Sequence, residues 1–196
     1  LSGNFELDID GANADSLAVT GTVTLGGDIS FNVITNPTAS LFKIVDNDAV
    51  EAVSGIFSGY AEGSVITLGG ETYKIFYQGG DGNDVVLVNA ITPTTVYVDD
   101  AWASGVNNGQ IVADADSGTT GNQDAVFGIN AFATLADALA AVSATGTIVV
   151  NAGDYDETVN ITGGRMLEIT GLDSSGTVEI QNLSSDSSSF IVIEGG

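Results

Sequence analysis

The sequence contains no cysteine and no histidine. Without cysteine there are no disulfides and no thiolate ligands, and without histidine the commonest general base and the usual ligand of zinc, copper and iron are missing. A serine in this chain has no imidazole to activate it as a nucleophile. These absences argue against an enzyme, and we expect a non-enzymatic protein with no catalytic residues.

Positive charge is almost as scarce. Three cations, Lys43, Lys74 and Arg165, stand against 26 acidic residues, which gives a net charge of −23. Such a chain cannot neutralise phosphate groups, so we expect neither nucleic acid nor an anionic membrane surface as a partner. No apolar run reaches the roughly 20 residues of a membrane-spanning helix, so membrane insertion is not expected. The acidity favours solubility or the binding of divalent cations.

Proline is rare and glycine is frequent, with 2 and 26 residues respectively in a chain of 196. Together with 43% hydrophobic and 15% charged residues, this composition predicts a folded protein with many tight turns between short strands. The chain opens on Leu1 and carries no signal peptide. We therefore expect a processed product or a piece of a longer polypeptide.

Residues 1–90 predict an all-β module. The segment from Phe5 to Asp10 alternates strictly between apolar and polar residues, as a half-buried strand does. Gly26-Gly27-Asp28 lies between two further alternating runs and predicts a hairpin. Seven or eight such strands with glycine turns are typical of a β-sandwich or a β-roll. Residues 91–95, which include Pro93, predict a linker to a second domain at residues 96–196.

The second domain predicts one helix and several recurring strands. Thr134 is a candidate N-cap with Asp137 three residues later, and the apolar residues that follow lie on one helical face. Apolar runs return at Ile148, Leu167 and Ile191, at intervals of 19 and 24 residues. An interval near 20 residues predicts stacked solenoid coils, and the helix would cover their open first edge.

Both parts of the chain carry segments of a known combination. In the second part these are Val96–Trp102, Phe127–Leu135, Gly146–Glu157 and Ile169–Gly171. In the first part they are Asp15–Gly21, Val45–Asp48, Gly55–Phe57 and Tyr77–Leu87. The second part resembles the first coils of right-handed parallel β-helix proteins of the pectin-lyase-like superfamily. The first resembles the β-rich module beside such helices in very large bacterial surface proteins and autotransporter-like adhesins. The resemblance implies an all-β chain: a β-sandwich or β-roll module, then a short right-handed parallel β-helix with one N-terminal capping α-helix.

The resemblance implies a location rather than a reaction, namely extracellular or at the cell surface. The superfamily includes lyases, esterases, hydrolases and inert adhesins, and its catalytic residues lie on later coils with no counterpart here. We predict a structural module that associates end to end through open solenoid edges into a fibre or adhesin stalk. Its partners would be other copies of itself or adjoining modules of the same long polypeptide. The alternative is a polysaccharide-binding module, or a fragment of a carbohydrate-active enzyme, with an extracellular polysaccharide as partner.

The predicted self-association depends on apolar strands near the two ends of the chain. An apolar strand edge without a neighbour recruits another chain. The residues that we assign to this contact are Phe5, Leu7, Ile9, Phe190, Ile191, Val192 and Ile193.

Two stretches are candidates for calcium binding. The first matches most of the calcium-binding β-roll nonapeptide, glycine-glycine-x-glycine-x-aspartate, and its candidate ligands are Gly79, Asp81, Asn83 and Asp84. A glycine-rich hairpin turn is the alternative for this stretch. The second has carboxylates at alternate positions before a glycine, with further acids nearby: Asp99, Asp100, Asp114, Asp116 and Asp124. A solvated acidic loop is the alternative there. The acids of Asp154-Tyr155-Asp156-Glu157 are predicted to face water.

Overall fold

The computed structural model describes residues 2–48, 50–116, 119–161, 166–172, 178–185 and 190–195, the last three ranges by their backbone alone. The chain divides into two compact units. Unit 1 comprises residues 1–91 together with Asn107–Ile111, and unit 2 comprises Thr92–Val106 with residues 112–196. The fold is all-β apart from one α-helix and one short 3₁₀ helix in the described part. The first unit takes in the segment 107–111, which lies beyond the boundary predicted at 91–95.

The first sheet of unit 1 is built on its N-terminal strand. This strand is β1 (Asn4–Asp10), and it is flanked by β2 (Asn13–Ala14) in antiparallel and by β4 (Asp28–Thr35) in parallel orientation, while β3 (Leu17–Val19) joins a different sheet. The predicted hairpin around Gly27 is therefore wrong. A turn pattern is local and does not reveal parallel pairing with a distant strand. A Cβ at Gly27 would collide with the carbonyl oxygen of Gly3, so a glycine is needed there for the chain to enter β4 beside β1.

The second sheet of unit 1 has five strands in the order β3–β5–β8–β7–β6. The new members are β5 (Leu41–Asn47), β6 (Val65–Leu68), β7 (Glu71–Gly79) and β8 (Asp84–Asn89). β3 runs parallel to β5, and the remaining neighbours are antiparallel. Strand β8 lies in the middle of the sheet, and its residues 84–88 are all buried.

One apolar core serves both sheets of unit 1. Leu7 and Ile9 from the first sheet and Ile75 from the second are fully buried in the same cluster. The ring of Phe5 stacks on that of Phe57 with 5.9 Å between the ring centroids. Complete burial of one such side chain stabilises a fold by about 1.5–3 kcal/mol. The inward-facing residues of each strand therefore account for its place in the sheet.

Unit 2 contains several small sheets. Strand β9 (Thr95–Val98) lies between β12 (Ala131–Phe132) and β13 (Thr147–Val150), both parallel to it. β10 (Ile111–Val112), whose second residue belongs to this unit, pairs with β11 (Ala125–Val126). Two further parallel pairs are formed by β14 with β16 and by β15 with β17. The bounds of these four strands are Gly153–Ile161, Met166–Leu172, Val178–Ser185 and Phe190–Gly195.

The predicted helix is confirmed as α1 (Leu135–Ala141). Thr134 has the extended conformation of an N-cap, and its Oγ1 accepts a hydrogen bond of 3.1 Å from the backbone N–H of Asp137. Leu135 and Ala138 are buried in the core of unit 2 with Ile148. The capping hydrogen bond and the spacing of apolar residues are thus sufficient to define this helix.

The resemblance to a right-handed parallel β-helix is wrong. The strands of the described residues form separate small sheets, and no closed solenoid is present among them. Ile148 is in hydrogen-bonded register with Val96. Its strand β13 also lies close to β15, which contains Leu167, but among the described strands β13 forms no hydrogen-bonded ladder with β15. Leu167 does pair with Ile191. Spacing along the chain indicated which apolar runs lie near one another, but it did not determine which strands share hydrogen bonds or whether the sheets close.

Candidate functional site

The glycine-rich stretch predicted to bind calcium is the turn between β7 and β8. It leads into Asp84, whose side chain is fully buried. The Nζ atom of Lys43 lies 2.8 Å from Oδ2 of Asp84, and the backbone N–H of Asn47 donates a 2.9 Å hydrogen bond to Oδ1. Both oxygens of this carboxylate are therefore engaged by groups of the protein itself.

Lys43 is held by two carboxylates. Its Nζ atom also lies 2.9 Å from Oδ1 of Asp46. Partial burial lowers the pKa of the Lys43 ammonium, but hydrogen bonds and charge attraction from Asp84 and Asp46 outweigh it and raise the pKa above its ordinary value. The lysine therefore carries its positive charge throughout the physiological range and neutralises the buried acid.

The turn itself needs glycine at one position in particular. Gly80 has a φ of +63°, and a Cβ there would collide with Oδ2 of Asp84. Its N–H donates to the carbonyl of Gly109 at 3.0 Å, and its carbonyl accepts from the N–H of Ile111 at 2.7 Å. Asp81 is exposed at the tip of the turn. Calcium binding by Gly79, Asp81, Asn83 and Asp84 stays a prediction, and a calcium ion would compete with Lys43 for Asp84.

The second acidic group surrounds a loop of unit 2. Asp114 has a φ of +50°, and its N–H donates to Oδ1 of Asn122 at 3.0 Å and to Oδ1 of Asp124 at 3.3 Å. Asp116 is buried, and its Oδ2 accepts a 2.7 Å hydrogen bond from the hydroxyl of Thr119. These contacts close the loop on itself.

The carboxylates of Asp99 and Asp100 each accept a hydrogen bond from a backbone N–H group. Asp99 is the N-cap of the 3₁₀ helix Asp100–Ala103, and its Oδ1 accepts from the N–H of Ala101 at 2.9 Å. Oδ2 of Asp100 accepts from the N–H of Asp154 at 3.2 Å. The side-chain amide of Asn151 donates to Oδ2 of Asp99 at 3.4 Å and to the carbonyl of Ala115 at 3.0 Å. Asn151 thereby joins the turn that carries Asp99 to the loop that carries Asp116.

Two tyrosines of unit 2 lie near these acids: Tyr155, which is buried, and Tyr97, which is partly buried. Burial raises the pKa of Tyr155, and the negative charges of Asp99 and Asp100 raise it further. The Tyr155 hydroxyl donates to the carbonyl of Asn151 at 2.9 Å, and the carbonyl oxygen of Val98 lies 3.3 Å from the same hydroxyl. Burial and the charge of Asp116 likewise raise the pKa of Tyr97. Both phenols stay protonated at neutral pH and act as hydrogen-bond donors or apolar surface.

No group of three or more acidic side chains is close enough to hold a metal ion within the described residues. The acids that the sequence grouped together are dispersed over separate turns, where they accept hydrogen bonds from backbone N–H groups and neighbouring side chains. Calcium binding by this group also stays a prediction.

Glu157 of β14 was predicted to face water, but its carboxylate instead contacts the helix. Its Oε1 accepts from the N–H of Leu135 at 2.9 Å, and its Oε2 accepts from the N–H of Ala136 at 3.1 Å. Helix N-termini favour such carboxylates because their first N–H groups have no partner within the helix. In the sequence Glu157 follows the helix by more than one strand, and no local pattern indicates that its carboxylate contacts the N-terminus of the helix.

The residues assigned to self-association have different surroundings. Leu7 and Ile9 are fully buried and Phe5 packs against the same core, while β1 has a hydrogen-bonded neighbour on each side. β1 is therefore not the open edge that the sequence suggested, because its apolar face belongs to its own unit. Among the described strands β17 is paired on one side only, with β15. It carries Phe190, Ile191, Val192 and Ile193.

A cleft in unit 1 was not foreseen. It has a volume of about 410 Å³. Its lining combines two apolar side chains with a carboxylate, a tyrosine and three primary amides: Val53, Gly55, Ile56, Glu62, Tyr77, Gln78, Asn107 and Asn108. The amides of residues 107 and 108 belong to this unit only because the chain returns to it at 107–111. No pattern in the sequence places those two residues beside Gln78.

Comparison with protein-family models, with curated proteins and with solved structures finds no match to this chain. None of the described helices is long and apolar enough to cross a membrane.

Proposed function

We propose that this chain is a non-enzymatic structural module of an extracellular or cell-surface protein, and that it associates with further copies of itself by strand addition. In this proposal unit 1 is a two-layer β-sandwich whose sheet edges provide the contact. Adjoining modules of the same polypeptide would use the same edges.

The observation that carries the proposal is the open side of β4. This strand has eight residues, and its only sheet partner in the described part of the chain is β1. Natural proteins protect exposed edges with lysine, proline or bulges. β4 contains neither lysine nor proline, and its pairing with β1 is regular from Asp28 to Val33 before the register shifts. The regular part, from Asp28 to Val33, is a template for another strand, and the irregularity at Ile34 marks where this regular edge ends.

Strand β4 also presents apolar surface. Ile34 has no register partner on β1, because the pairing moves from Val33 directly to Thr35, and 56% of its surface is exposed. In unit 2, β16 and β17 are each paired on one side only among the described strands, which offers two further edges. Negative charge opposes association, because each copy carries a net charge of −23. We therefore expect association to strengthen as salt shortens the Debye length to about 8 Å at physiological ionic strength.

Light scattering and electron microscopy over a series of salt concentrations test the proposal. We expect assemblies that grow with salt and that are reduced at least several-fold by Ile34→Lys, since a charged residue on an edge strand opposes strand addition. Ile91→Lys is the matched control, because Ile91 is 66% exposed and lies outside the strands. A chain that stays monomeric at high concentration and at every salt concentration contradicts the proposal. Equal loss of assembly in both variants would show that β4 is not the contact.

A further inference from the structure

The cleft of unit 1 carries polar groups that the fold itself does not use. Within the described part of the chain, the side-chain amides of Gln78, Asn107 and Asn108 make no hydrogen bond, although Asn107 is anchored through its backbone to Gln110. Only one carboxylate oxygen of Glu62, Oε2, accepts a hydrogen bond, which comes from the N–H of Tyr77 at 3.0 Å. Three amides and a carboxylate oxygen thus remain available at one concave surface.

The framework that holds these groups is rigid. Tyr77 is buried, and its hydroxyl donates to the carbonyl of Tyr60 at 2.7 Å and accepts from the N–H of Phe57 at 3.1 Å. Asn107 and Gln110 exchange two hydrogen bonds of 3.0 Å, which fix the turn that carries Asn108. The backbone of both walls is therefore fixed, while the side-chain amides of Gln78, Asn107 and Asn108 are exposed and free to turn towards a ligand.

The chemistry of the lining selects among ligands. No cationic side chain lines the cleft, so an anion would meet only the charge of Glu62 and be repelled. A hard cation such as Ca²⁺ takes about 6–8 oxygen ligands and usually several carboxylates, whereas one carboxylate is present. Each amide offers two donors and one acceptor oxygen, and a carboxylate offers acceptors. Neighbouring hydroxyl groups of a sugar ring, which both donate and accept, satisfy such a set.

Apolar surface in the cleft fits the same ligand. Val53 and Ile56 contribute side chains to the lining, and Ile56 is 45% exposed. A sugar ring has C–H groups between its hydroxyls, and burying them against aliphatic side chains is favourable. The volume of about 410 Å³ falls within the range of small-ligand pockets.

We propose that this cleft binds a neutral sugar unit of a polysaccharide through the side chains of Glu62, Gln78, Asn107 and Asn108. The inference is independent of strand addition by β4, so either can fail without the other. It gives the module a means of adhering to a glycan surface in addition to its proposed mechanical role.

Nuclear magnetic resonance titration of the full chain tests the assignment. The probes are the methyl glycosides of glucose, galactose and mannose, and their neutral linear oligosaccharides, each added to millimolar concentration. We expect at least one sugar to shift the side-chain amide signals of Gln78, Asn107 and Asn108 together. Gln78→Leu combined with Asn108→Leu should weaken that binding at least tenfold. The matched control is Thr67→Val on β6, which is exposed and outside the cleft and should leave the affinity unchanged.

Three outcomes would overturn the proposal. The first is the absence of shifts in these amides with every sugar. The second is equal binding of sorbitol, which has the hydroxyls of a sugar without its ring. The third is a response of the same amides to calcium chloride but not to sugars, which would assign the cleft to a cation. Unchanged dispersion of the backbone signals in the double variant shows that a loss of binding is not a loss of fold.

Discussion

The two units accommodate their acidic side chains in different ways. In unit 1 a buried carboxylate, Asp84, is neutralised by the ammonium of Lys43. In the described part of unit 2 there is no lysine or arginine, and Asp99, Asp100 and Glu157 accept hydrogen bonds from backbone N–H groups instead. Removing one partner of an ion pair in a core greatly lowers the free energy of unfolding, because the other charge stays buried alone. Removing a helix cap costs only about 1 kcal/mol and affects the structure near the cap. The same acidic composition therefore predicts one vulnerable point in unit 1 and several mild ones in unit 2.

The largest expected effect is that of Lys43→Met. It leaves Asp84 buried without a counter-charge, so we expect a loss of about 3 kcal/mol in the free energy of unfolding. Urea denaturation followed by far-UV circular dichroism, with hydrogen exchange of the β5 and β8 amides, measures it. Lys74→Met is the control, because Lys74 forms no ion pair within the described residues. Adding Asp84→Leu to Lys43→Met should recover much of the loss. Equal midpoints for the two lysine variants would show that the pair contributes nothing.

Gly80→Ala tests the same anchor through the backbone. A left-handed conformation costs a non-glycine residue about 1–2 kcal/mol, and here the new Cβ would also displace the carboxylate of Asp84. Gly59→Ala is matched to it, because Gly59 has a φ of +80° with nothing within 4 Å of the added carbon. We expect the Gly80 variant to lose more stability than the Gly59 variant in urea denaturation. If the two lose the same amount, the close approach to Asp84 has no energetic consequence.

Glu157→Ala tests the capping that is characteristic of unit 2. Two N–H groups of the helix lose their acceptor, and we expect a loss of about 1 kcal/mol. Trp102 is the single tryptophan of the chain and packs in unit 2, so its fluorescence during denaturation reports on this unit. Asp156→Ala, at an exposed neighbouring position, should leave the midpoint unchanged. If Glu157→Ala lowered the free energy of unfolding as much as Lys43→Met does, the proposed difference between the two units would be wrong.

The smallest effect concerns Glu62 in the cleft. Partial burial of the carboxyl raises its pKa, and the hydrogen bond from the N–H of Tyr77 offsets part of that rise. A raised folded-state pKa means that its contribution to stability is complete at low pH and is lost as the pH rises through that pKa. Thermal unfolding should therefore show Glu62→Gln gaining stability relative to the unsubstituted chain between about pH 4 and about pH 7. The gain is small because the side chain is largely exposed. A pH-independent difference would contradict it.

Local signals in the sequence predicted local structure well. The alternation at Phe5–Asp10 and the capping pattern at Thr134 each gave an element close to the observed one, because both patterns depend on neighbours a few residues away. Pairing between distant strands was beyond such signals. The interval from Ile148 to Leu167 predicted neighbouring strands, and β13 does lie close to β15, but the hydrogen-bonded partner of Ile148 is Val96.

The candidate sites show the same division. The glycine-rich motif before Asp84 is visible in the sequence. The ion-pair partner of Asp84 is Lys43, which is remote along the chain and lies in a stretch that is equally compatible with a solvent-exposed lysine. The cleft was missed because its polar lining comes from three separate segments around Glu62, Gln78 and Asn107. Residue type alone does not reveal that such segments converge.

The segment Asn107–Ile111 has a consequence for how this protein can be divided or recombined. Because it supplies hydrogen-bond partners to Gly80 and two amides to the cleft, unit 1 is not a continuous stretch of chain. A fragment truncated at residue 91 would lack one wall of its own cleft. Transfer of the complete module to another protein would require two breakpoints, so a single genetic crossover at the linker would deliver it incomplete.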